Sequence, residues 1–104
     1  MEFQDILEGD LLSIELDQSL TYAGLSLRTV EGVNARIDAI SLDGASVEVR
    51  LLRLSLRSGL TAGDGTPSLG EIEAYLLEND RLTLDGDFGC LELIASRFNI
   101  ASVK

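Results

Sequence analysis

The sequence predicts an all-β protein: six to eight antiparallel strands in a bent sandwich or partly open barrel, with a short N-terminal helix. Three observations carry this. Aliphatic and polar residues alternate with a period of two in one segment after another, which places the aliphatics on one face of an extended chain. Asp-Gly and Asn-Asp pairs separate several of these segments, and turns favour those residues. The alternation also changes phase by one residue within two long segments, as a β-bulge requires, and bulges bend strands.

Glu2 to Glu8 sets Phe3, Ile6 and Leu7 on one helical face, with Gly9 where a helix-ending residue would sit, so a turn or two of helix opens the chain. From Leu12 the period becomes two: Leu12, Ile14 and Leu16 alternate with Ser13, Glu15 and Asp17. Beyond a turn at Asp17-Gln18-Ser19, Ala23, Leu25 and Leu27 alternate with Gly24, Ser26 and Arg28, which completes a hairpin. Val33, Ala35 and Ile37 begin a third strand whose phase slips to Ile40 and Leu42. Asp43-Gly44 is the strongest two-residue hairpin signal in the chain. It leads into Val47, Val49 and Leu51, followed in the opposite phase by Leu52, Leu54 and Leu56. Residues 33–42 and 47–56 are therefore expected to form a central hairpin with a bulge in each arm.

Residues 57–70 hold four Gly and the only Pro, and form the one long loop. Ser68 with Glu71 three residues on fits a capping box, and a helix near residues 69–78 would make the class α+β. Ile72, Ala74 and Leu76 alternate with Glu71, Glu73 and Tyr75, which favours a strand, because a helix would put Glu73 on the apolar side. A meander over 71–78, 81–86 and 90–96 follows, with Phe98 and Ile100 extending a final edge strand. Ile40-Ser-Leu-Asp-Gly and Leu82-Thr-Leu-Asp-Gly echo each other as two hairpins with one turn chemistry.

The chain of 104 residues is expected to be one acidic β-rich domain, 1–104, long enough for a core without staples. It has no His, one Cys and a net charge of −10. Without His, neither Ser–His–Asp nor Cys–His nucleophile pairs can form, nor the usual His-containing zinc sites. Cys90 has no second Cys for a disulfide or a thiolate cluster and is expected to be a small buried hydrophobe. The charge argues against nucleic-acid backbones and anionic membranes as direct partners. No apolar run approaches the length of a membrane span, and the opening residues are acidic, so a cytoplasmic location is expected.

Specific chemistry is sparse. Asp85-Gly86-Asp87-Phe88-Gly89 lacks the offsets of an EF-hand and reads as a turn. The Gly59–Gly65 loop has no Lys and no phosphate-binding pattern. The carboxylate pairs Glu15/Asp17, Glu71/Glu73 and Asp85/Asp87, each spaced i, i+2, read as solvated sheet faces. No metal, cofactor or catalytic residue is expected, and the chain reads as a non-enzyme.

Residues 1–31 carry seven acids against Arg28, and residues 61–104 eight acids against three bases. The middle of the chain is nearly balanced. It joins Arg36, Arg50, Arg53 and Arg57 to the most continuous apolar stretch. Arg50, Leu52, Arg53, Leu54, Leu56 and Arg57 form the candidate interface, since Arg is enriched at protein contacts; the structural alternative is a buried central strand. The expected function is protein–protein interaction through self-association, as a homodimer or small oligomer. Two alternatives stand beside it. One is an acidic inhibitor or immunity-type protein that occupies a basic site on a nuclease or other nucleic-acid-binding protein, using Glu71, Glu73, Asp85 and Asp87. The other is a carrier of a small apolar ligand.

Overall fold

The computed structural model describes residues 1–42 and 46–103. Among the described residues, eight antiparallel strands form one open sheet in the order β4-β7-β6-β5-β1-β2-β3-β8. In chain order they are β1 (Asp10–Leu16), β2 (Tyr22–Arg28), β3 (Asn34–Ile40), β4 (Glu48–Leu54), β5 (Gly70–Glu78), β6 (Arg81–Gly86), β7 (Gly89–Ile94) and β8 (Arg97–Ser102). The predicted all-β class stands. The helical segment is a single 3-10 turn, Phe3–Ile6, closed by reciprocal bonds between Glu2 and Asp5. The left-handed residue after it is Glu8, not Gly9; Gly9 is buried against the backbone of Arg28.

β1 and β5 pair only through Asp10↔Glu71 and Leu11↔Gly70, so the sheet has a narrow waist. The halves on either side share one core. Leu25, Ile37 and Leu27 come from the β1-β2-β3-β8 half, and Leu82, Leu84, Leu91 and Leu93 from the other. Each is essentially sealed from solvent, which stabilises the fold by roughly 1.5–3 kcal/mol per side chain. Cross-strand pairs Leu84↔Leu91 and Leu82↔Leu93 align this set on one face.

Pairing bears out the strand expected over 71–78 and overturns the alternative helix: β5 is extended, and Ser68 Oγ donates to Asp10 and accepts from the Gly70 N–H, which takes it away from any helix cap. A bulge between Ile72 and Ala74 then reverses the phase of β5, so Tyr75 is the half-buried residue and Leu76 is exposed. β3 has no phase slip. Its register with β2 is unbroken, and Ala35, Ile37 and Ala39 are the buried series. The bulge in the 47–56 arm is real, lying between Leu51 and Arg53.

The expected hairpin between 33–42 and 47–56 does not form. Both sides of β3 are taken by β2 and β8, and β4 pairs with β7 at the far edge. The Asp43-Gly44 turn lies outside the described residues.

Candidate association surface

β4 is an edge strand, so the alternative of a strand buried on both faces is overturned. Only Val49 of β4 packs partly against the core. Leu51, Leu52, Leu54 and Leu56 are each 52–57% exposed, which places them in solvent along one edge. An apolar edge of this length is a ready contact for another protein surface.

The arginines on this strip differ in freedom. Arg50 is held by Glu48 at 2.9 Å and lies 3.5 Å from Glu92. The hydrogen bonds it donates to the Glu48 carboxylate hold its guanidinium more firmly charged. Glu92 is buried on the outward face of β7, between Arg50 and Arg81. Among the described residues, Arg53 and Arg57 form no ion pair. The structure thus brings Arg50, Leu52, Arg53, Leu54, Leu56 and Arg57 together along and just beyond one edge, with Arg53 and Arg57 as the available cations.

Arg36 belongs elsewhere. It lies across β2 on the outer face, donating to Glu15 at 2.9 Å, to Asp38 at 2.9 Å and to the Tyr22 hydroxyl. The Tyr22 hydroxyl in turn donates to Asp38. The side chain passes over Gly24, where a Cβ would collide with the Arg36 guanidinium. These partners, the Tyr22 hydroxyl foremost, hold Arg36 charged, while burial pushes the Tyr22 hydroxyl up from its ordinary pKa.

The predicted acidic face separates into parts. Glu73 is the extra residue of the β5 bulge, which breaks its i, i+2 relation to Glu71. Asp85 faces Cys90 across β6 and β7, and burial first, then Asp85, pushes the half-buried Cys90 thiol up. Glu71 and Asp87 do meet: the Asp87 carboxylate accepts from the Glu71 N–H at 3.1 Å. The β1–β5 contact adds Glu8 and Asp10, giving four carboxylates around a recess of about 240 Å³. Sequence spacing could not show this group, because it depends on a pairing between residues sixty apart in the chain. Among the described residues, no three Cys, Asp or Glu side chains converge as a metal ion would need. No helix among them is long and apolar enough to cross a membrane. Comparison with known proteins finds no matching family model, no matching curated protein and no matching solved structure.

Proposed function

We propose that this chain is a non-enzymatic, cytoplasmic interaction protein that associates with a second copy of itself through the β4 surface. The observation that carries the reading is an edge strand whose three leucines, with Leu56 just beyond its end, lie in solvent beside Arg53 and Arg57, which form no ion pair among the described residues. Burying those leucines supplies the driving force. Arg53 and Arg57 require carboxylates opposite them, and a second copy of a chain with net charge −10 brings them. Sedimentation velocity on the native chain and on Leu52→Asp/Leu54→Asp tests this. The native chain should sediment as more than one copy at micromolar concentration, and the substitutions should lower that mass. A native chain that stays monomeric, or a mass indifferent to the substitutions, sinks the proposal.

The carboxylates gathered at Glu8, Asp10, Glu71 and Asp87 support a second reading, the acidic inhibitor. In that case an arginine-rich peptide binds the native chain at low salt, releases at high salt, and binds Glu71→Lys more weakly. Salt-insensitive binding would count against it. No feature of the described residues favours the carrier reading.

A further inference from the structure

We infer that β8 is a second self-association edge, at which two copies pair antiparallel about a two-fold axis through Asn99. The reasoning starts from the difference between the two free edges of the sheet. β4 carries devices that blunt an edge against strand addition, though not against contact through its leucine side chains: a bulge between Leu51 and Arg53, and the cations Arg50 and Arg53. β8 carries neither a bulge nor a proline. Its register against β3 runs unbroken from Ala35↔Ser102 to Ile40↔Arg97, and its one charged residue is Arg97, at its start. A bare, regular edge is a template for another strand.

The hydrogen-bond phase settles which groups are offered. The Val103 N–H donates to the Asn34 carbonyl at 2.8 Å, and the two residues continue the β3–β8 register. Bonded and non-bonded pairs alternate along an antiparallel ladder. Phe98, Ile100 and Ser102 therefore sit in non-bonded pairs with β3 and turn their N–H and C=O groups toward the free edge.

A second β8 centred on Asn99 sets Phe98 opposite the other copy's Ile100, and Ile100 opposite its Phe98. Both pairs carry outward-facing backbone groups and can exchange hydrogen bonds. Both lie on the core side, where Phe98 and Ile100 are only partly buried, so an aromatic meets a β-branched residue twice. Arg97 falls opposite Ala101, and no like charges meet. Centring the pairing on Ile100 instead would set Ile100 against itself and Phe98 against Ser102, leaving one apolar pair in place of two. The two-fold arrangement closes both β8 edges at once. It leaves β4, at the opposite edge, free.

The test uses the full chain carrying Leu52→Asp/Leu54→Asp, which disables the β4 contact. Sedimentation velocity should still show a two-copy species. Adding Ile100→Ala should retain that species, and adding Ile100→Pro should abolish it. Both lose the same side chain, but only proline removes the N–H offered to the second copy, and β3 does not use that N–H. Independently, Asn99→Cys in a Cys90→Ser background should form a disulfide-linked dimer under mild oxidation. A self-opposed, non-bonded pair has Cα atoms about 4.5 Å apart, within disulfide range. If the native chain associates but the β4-disabled chain is wholly monomeric, the inference is overturned and the β4 contact stands. A two-copy species indifferent to Ile100→Pro, or an associated chain that yields no Asn99→Cys cross-link, also overturns it. A native chain monomeric throughout overturns both contacts.

Discussion

Gly89→Ala probes how β4 is held to the sheet. Gly89 opens β7 at φ +110°, a conformation that side chains other than glycine rarely adopt. A Cβ there would stand against the Arg53 carbonyl oxygen, 2.8 Å from the Arg53 carbonyl carbon and 3.2 Å from the Ser55 nitrogen. All three are β4 or adjoining backbone, so no side chain can swing aside. The strained backbone costs about 1–3 kcal/mol. Displacing the end of β4 also weakens the Ser55 N–H to Phe88 bond of 2.8 Å, worth roughly 0.5–1.5 kcal/mol. Together these give about 2–4 kcal/mol, or roughly 10–25 °C in Tm for a chain of this size. Urea unfolding with circular dichroism measures it. Gly63→Ala is the control: Gly63 has ordinary φ and open space around it, so it should stay within about 0.5 kcal/mol of native. If Gly89→Ala matches that control, the packing of β4 against β7 is misassigned.

Gly24→Ala also meets an occupied space, but there the obstacles are the ends of Arg36 and Tyr22, which can give way. It should cost about 1 kcal/mol, the worth of a partly exposed hydrogen-bond network, and an Arg36→Ala background should erase most of that cost in a double-mutant cycle. Leu84→Ala removes a fully buried side chain opposite Leu91 and should cost about 2–5 kcal/mol in chemical denaturation; a loss under about 1 kcal/mol would contradict the shared core. Cys90 should react with iodoacetamide more slowly than a free thiol at mildly alkaline pH, because burial and Asp85 keep it protonated. Since the thiol pKa is raised on folding, its contribution to stability is present below the unfolded value of about 8.5 and is lost as pH rises beyond it, and Cys90→Ser should flatten that alkaline fall.

What could be read from the sequence depended on how local the governing interaction is. β2 and the β5–β8 meander are legible because alternation and turn residues lie within a few positions of each other; β1 is legible as a strand, but its sealed residue is Leu11, ahead of a bulge between Leu11 and Ser13, and Ile14 and Leu16 are exposed. The β4 bulge was legible too, as paired leucines at 51 and 52. In β3 the aliphatic Ile40 and Leu42 suggest a phase slip, but the small Ala39 keeps the buried phase. The bulge in β5 was hidden because Tyr75 does not read as a core position. Asp43-Gly44 suggested a hairpin, but a local turn signal does not reveal that β2 and β8 occupy both sides of β3. The leucines and arginines of the candidate interface stood out in composition. Their exposure did not, because it follows from β4 lying at an edge that only tertiary pairing defines. The same pairing draws Arg36 into a network with Glu15, Tyr22 and Asp38, away from the other arginines.

Hydrogen exchange, read by mass spectrometry as a function of protein concentration, tests the central claim that β4 is an association surface. Peptides covering residues 50–56 should exchange more slowly as the concentration rises through the association range, while the β6 and β7 core peptides, already protected, should not change. Exchange in residues 50–56 that is fast at every concentration, in a chain that sediments as more than one copy, would contradict the account.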